Sequence, residues 1–310
     1  MNPPSNAGPE LPVDSQNISP AVLSPTRPIY WSVRRELWEN RSLYIAPLMV
    51  AAVFLFGFLI STFRLPNKMR GLAELDAAKQ QLTVVMPYSM AASMILFTGI
   101  VVGLIYCLDA LNSERRDRSI LFWKSLPVSD RTTVLAKASI PVAFLPLYCM
   151  AVALATQLIM LMLSTAVLVV NGVNPATLWT RLPLFQMTLV MIYGVTVHAL
   201  WYAPIYGWLL LVSAWARRAT FLWAALPFVT VLIIERMASG TTYFAAFLKY
   251  RLMGAMTEGF AVDALKGPVT RLAQITPLNF LTTPGLWVGL AFAAACLAVA
   301  VRLRRNREPI

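Results

Sequence analysis

Ionisable side chains crowd into one short segment, Ser113–Lys137, which reads SERRDRSILFWKSLPVSDRTTVLAK. It carries Glu114, Arg115, Arg116, Asp117, Arg118, Lys124, Asp130, Arg131 and Lys137, interleaved with Leu121, Phe122, Trp123 and Leu126. No activated nucleophile or metal-ligand set can be assembled from these types, so the chemistry on offer is electrostatic: ion pairs and charge-assisted hydrogen bonds. Solvation alone has no use for the large apolar groups. Mixed with charge, they predict short amphipathic helices lying under a membrane, with a polar face open to a soluble partner. Glu114 and Arg118 stand four apart, in the favourable orientation for a helical ion pair. Pro127 lacks an amide proton and biases Leu126 out of helical geometry, so it breaks that helix. Ser129 or Asp130 can then cap a second helix that begins at Arg131 and runs toward the next span. The plainer alternative is a basic loop that does no more than fix topology.

Other reactive groupings are missing from the sequence. There is no GxxxxGK[ST] loop to cradle ATP phosphates, no HExxH, no CxxC and no GxSxG elbow. The single histidine, His198, lies in an apolar run and cannot assemble a histidine-rich metal site. Two readings of it compete: a transport or proton-relay group, and a neutral ring bonded to a neighbouring helix near Tyr202 and Pro204. Cys107, Cys149 and Cys296 also fall in apolar runs, with neither metal-ligand spacing nor the even count of a disulfide framework. Acidic residues avoid the centres of these runs, which weighs against an ion-coupled carrier.

The elements that must hold the charged segment are membrane helices. Of the 310 residues, 58% are hydrophobic and only 13% charged, about half the charged share of a soluble domain. Charge-free runs predict spans near 43–63, 86–108, 139–170, 183–214, 219–234 and 284–301, each judged against the ~20 helical residues that cross a hydrocarbon core. The third and fourth are long enough to tilt or to project beyond lipid. The fifth is short. The net charge of +12 comes from basic residues that flank these runs. That distribution suits anionic lipid head groups and topology control, and argues against nucleic acid. More of the 26 Lys and Arg residues fall on the side of the termini than opposite, so both termini are expected inside.

Before the first span, Pro28–Arg41 reads PIYWSVRRELWENR. Ile29, Val33 and Leu37 recur every four residues, and Arg34, Arg35, Glu36, Glu39 and Arg41 supply the polar positions; this predicts an interfacial helix on the inner leaflet. Residues 1–27 read as a disordered, proline-rich tail, followed by a single membrane domain over 28–310. No cleavable signal peptide is visible. Tyr30, Trp31, Trp179, Trp215 and Trp287 fit interfacial anchors.

The segment ERRDRSILFWKSLPVSDRTTVLAK resembles the cytoplasmic loop of ABC-2 type transporter permeases. There an acidic-basic cluster precedes a Leu-Pro-Val-Ser turn, here Leu126–Ser129, and a lysine opens the next span. The likeness extends to the RELWENRSLYIAPL lead-in, the six spans and the basic tail. It implies an all-α integral membrane protein of six transmembrane helices with an N-terminal interfacial helix and a cytoplasmic coupling-helix loop. It further implies that Glu114, Arg115, Arg116, Asp117, Arg118, Pro127, Ser129, Asp130 and Arg131 contact a separate ATPase subunit, which would carry ATP and Mg. A second copy or a paralogue would complete the pathway in a bacterial inner membrane. The outer segment 235–283, with short apolar stretches Tyr243–Leu248 and Phe260–Leu265, would permit the family's re-entrant helices.

The expected function is therefore the permease subunit of an ATP-driven exporter, not itself an enzyme, coupled through residues 109–137. The alternative is a membrane scaffold or assembly factor that recruits a soluble protein through the same loop. Charge reversal at Glu114 or Asp130 is predicted to uncouple the partner without preventing membrane insertion.

Overall fold

The structure is a computed structural model that describes residues 26–71, 76–117, 128–261 and 268–306. The proline-rich tail up to residue 25, the 118–127 stretch with Arg118, Leu121, Phe122, Trp123 and Pro127, and most of the Phe260–Leu265 stretch lie outside the described residues. The chain forms helices α1 (Thr26–Glu39), α2 (Ser42–Ser61), α3 (Leu65–Arg70), α4 (Ala77–Asp109), α5 (Asn112–Arg116), α6 (Asp130–Val170), α7 (Ala176–Arg181), α8 (Leu184–Trp215), α9 (Thr220–Ser239), α10 (Tyr243–Gly259), α11 (Pro277–Thr282) and α12 (Pro284–Asn306). Among the described residues, extended pairing is limited to one bridge between Phe260 and Ile275. Six helices, α2, α4, α6, α8, α9 and α12, are long and apolar enough to cross a membrane. The protein is a multi-pass helical bundle.

Several boundaries move relative to the charge-free runs. Helix α4 begins at Ala77, well before the span expected at residue 86, because Lys79, Gln80 and Gln81 are good helix formers that need not sit in lipid. Helix α6 runs without a break from Asp130 into the third span, so the capped helix and the span are one element. It passes through a π-turn over Ile140–Phe144, where the Leu145 amide reaches back to the Ile140 carbonyl. Pro141 and Pro146 bracket that turn and withhold the amide protons an α-helix would use there.

Packing follows small residues. Gly207 lets α8 and α12 approach so closely that an added Cβ would lie 3.2 Å from the backbone of Ala293. Ala214 and Ala300 share a cluster further along the same parallel pair. Helices α4 and α6 meet antiparallel, with Gln157 donating to the Tyr88 carbonyl at one level and Leu145 beside Gly103 at another.

The fifth span, expected to be short, is a 20-residue helix, long enough to cross a membrane. Only 6% of the most apolar stretch of α9 is buried, against 44% for α6. Helix α10 supplies the contact that α9 lacks: it runs antiparallel to the middle of α8, with Arg251 opposite Trp201, Leu252 opposite Tyr202 and Gly259 opposite Val197. Glu235 near the end of α9 accepts hydrogen bonds from the Tyr243 and Phe244 amides at 2.6 and 3.0 Å, capping the start of α10. Residues 243–259 thus form one helix instead of a short apolar segment. Its charge at Arg251 is absorbed by the carbonyls of Gly285 (3.1 Å) and Trp201 (2.5 Å) and by the Trp201 ring, 4.7 Å away.

Candidate functional site at the charged end of the bundle

Four separated pieces of chain meet at one end: α1, α5, the first turns of α6 and the last turns of α12. Their ionic side chains form a continuous buried cluster. Lys137 Nζ lies 2.7 Å from Glu36 Oε1 and 3.1 Å from Glu114 Oε1. Arg35 Nη2 reaches the same Glu114 oxygen at 3.0 Å. Arg304 Nη1 pairs with the other Glu114 oxygen, while its Nε is 3.0 Å from Asp130 Oδ1. The Tyr106 hydroxyl, on α4, donates to Glu36 Oε2 at 2.8 Å. Glu36, Glu114, Lys137 and Arg304 are all buried. Among the described residues, three carboxylates (Glu36, Glu114, Asp130) face three cations (Arg35, Lys137, Arg304), a balance that lowers the cost of burying charge.

The sequence explains each member's position. Glu36 shares a helical face with Val33 and Leu37, spaced three and four apart, and that face turns into the bundle. The opposite face carries exposed Trp31 and Trp38, with the Arg34 guanidinium 5.1 and 4.7 Å from the two tryptophan rings. Glu36 therefore does not belong with the outward polar positions of α1. Burial on its own would lower the Arg35 pKa, but its hydrogen bond to Glu39 and the charges of Glu114 and Glu36 outweigh that, and the net shift is upward.

A second device locks α5 to the end of α8. Ser213 is fully buried, and its Oγ accepts from the Leu111 and Asn112 amides at 3.0 Å each. In return, Arg115 Nη1 donates to the Ala214 and Ala216 carbonyls at 2.8 and 3.3 Å. Orphan amides at one helix start and orphan carbonyls at another helix end are thereby satisfied reciprocally.

The residues singled out from sequence divide by this geometry. Glu114 and Arg115 point inward, 4% and 5% exposed, and offer no surface to a partner in this conformation. Arg118 and Pro127 lie outside the described residues, so the Glu114–Arg118 pair is not on view; Glu114 binds Arg35, Lys137 and Arg304. Asp130 is half-buried against Arg304. Arg116, Asp117, Ser129 and Arg131 are exposed beside the cluster. Of the two candidate caps, Ser129 does the capping: its Oγ accepts from the Thr132 amide at 3.1 Å, and α6 starts at Asp130. Arg217, Arg218, Arg302 and Arg305 are exposed at the same end and extend a basic rim.

Sequence reasoning missed Glu36, Lys137, Arg304 and Ser213 as parts of one site. Among the described residues, no group of three His, Cys, Asp or Glu could hold a metal. His198 bonds through Nε2 to the Tyr206 hydroxyl at 2.9 Å, two turns along its own helix, and not to a neighbouring helix. The chain matches no family model, no curated protein and no solved structure.

Proposed function

We propose that this chain is the membrane subunit of an ATP-driven exporter whose ATPase is a separate, P-loop protein carrying ATP and Mg. In this reading it sits in a bacterial inner membrane with both termini cytoplasmic, beside a second copy or a paralogue. The observation that carries the proposal is the buried ion-pair cluster with its exposed rim of Arg116, Asp117, Ser129 and Arg131. A push delivered to this rim reaches α1, α4, α6, α8 and α12 together, because the cluster and the Ser213–Arg115 lock join all of them. An isolated topology loop needs no such joint. The resemblance of Ser113–Lys137 to ABC-2 permease loops supports the same reading.

The burial of Glu114 changes how the reading is tested. Reversing it would break the fold's own ion pairs, so it cannot report partner binding. Paired reversal at the exposed Arg116 and Asp117, together with Arg131→Glu, is the informative variant. Purification in mild detergent from the native host should recover a P-loop ATPase with the wild-type chain and lose it with the triple variant, while membrane insertion stays normal. Reproducible recovery of a different soluble protein would favour the scaffold reading. Retention of the ATPase by the triple variant would remove this rim from the coupling site.

A further inference from the structure

A partly open cavity of about 320 Å³ lies away from the charged end, between α4, the π-turn of α6, α8 and α10. Its walls include Ile100, Pro141, Val195, Ala255, Met256 and Phe260, and among the described residues its lining carries no acidic or basic side chain other than His198. An ion entering it would shed water with no countercharge to meet, which excludes charged ligands on energetic grounds. The volume is at the lower end of small-molecule sites and has room for ~10 water-sized groups.

One polar feature breaks the apolar lining. The Tyr202 hydroxyl is already committed, donating to the Leu252 carbonyl at 2.6 Å. Tyr206 is committed to His198 Nε2. The His198 ring is held between them, its centroid 4.7 Å from that of Tyr202. Its remaining nitrogen, Nδ1, has no hydrogen-bond partner among the described residues. The two tautomers make Nδ1 either a donor or an acceptor, depending on the sense of the Tyr206 bond. A hydroxyl group satisfies it in both cases. The π-turn borders this space: Pro141 within it and Pro146 just past it both line the cavity.

We infer that this cavity binds an uncharged, hydroxyl-bearing lipophile, oriented by a hydrogen bond to His198 Nδ1. Within the exporter reading such a molecule is the cargo or a lipid-derived regulator, but the binding does not require an ATPase partner. Failure here therefore leaves the rim experiment untouched, and the reverse also holds.

Because His198 is the only histidine in the chain, selective 15N-histidine labelling gives a spectrum of this one ring. The protein in lipid nanodiscs is titrated with 1-decanol, with decane and with decanoate at alkaline pH. Decanol should move the Nδ1 resonance saturably into the hydrogen-bonded range. Decane should occupy the cavity roughly 2- to 12-fold more weakly, the worth of one hydrogen bond, and should leave Nδ1 in place. Decanoate should have no effect. Val195→Phe, which fills the cavity, should abolish the decanol response while the Nε2 resonance still reports the Tyr206 bond. No saturable response to decanol in the wild-type protein overturns the inference, as does an equal response to decane or decanoate.

Discussion

Glu114 holds Arg35 and Lys137 on one carboxylate oxygen and Arg304 on the other. Neutralising it leaves buried cations without their shared counterion, a change that typically costs about 3–5 kcal/mol. Glu114→Gln is expected to lower the thermal unfolding midpoint sharply in detergent, whereas Arg116→Gln, at an exposed position, should change stability by less than about 0.5 kcal/mol. Equal midpoints for the two variants would mean the cluster does not hold in solution. Ser213→Ala poses the same question at the other lock: it strands the Leu111 and Asn112 amides in a buried place, at a cost of about 1–3 kcal/mol. Ser213→Thr retains the acceptor and should recover part of the loss, which denaturant titration can resolve.

At the scale of helices, close approach is set by a few small residues. Gly254 packs so tightly on Trp201 that an added Cβ would collide with the indole ring. Gly254→Ala should loosen α10 from α8 at about 1–3 kcal/mol. Limited proteolysis near Gly240, at the exposed turn between α9 and α10, should then accelerate while the rest of the bundle stays protected. Unchanged protection would show that the Arg251 clamp holds α10 on its own. The π-turn in α6 was not legible in the sequence, although its cause, two prolines five apart, was in plain view. Hydropathy also missed α10, because Lys249, Arg251 and Glu258 interrupt its apolar run; the Trp201 ring and two backbone carbonyls that receive Arg251 lie on other helices.

For the molecule as a whole, the spans were legible because charge is costly in hydrocarbon and the chain avoids it in long runs. The Ser129 cap was legible from local chemistry, with Asp130 as its rival. The charged cluster was not, since pattern reading assigns charges to surfaces and the partners are up to 190 residues apart, as Glu114 is from Arg304. A signal was nevertheless present: Glu36 sits on the same helical face as Val33 and Leu37. The cluster also makes a topological claim, because it gathers α1, the start of α6 and the end of α12 at one end, with α7 at the other. Native Cys107, Cys149 and Cys296 are buried and give a quiet background for labelling. Arg131→Cys and Arg302→Cys should react with a membrane-impermeant thiol reagent from one side only, and Thr177→Cys only from the opposite side. Reaction of Arg131→Cys and Arg302→Cys from opposite sides would overturn the arrangement.

Arg304 belongs to α12, which is synthesised after every other element of the cluster, and this gives the cluster a direction in time. Until α12 arrives, the cations paired with Glu36, Glu114 and Asp130 among the described residues are Arg35 and Lys137, so the nascent bundle lacks one countercharge at a partly buried place. Helix α12 supplies the neutralising cation, which makes its arrival an electrostatic checkpoint in biogenesis. A chain stopped before α12 should be cleared from the membrane faster than the full chain, and Asp130→Asn in the truncated form should slow that clearance by restoring the balance. Equal lifetimes for the two truncated forms would mean that quality control does not sense this charge.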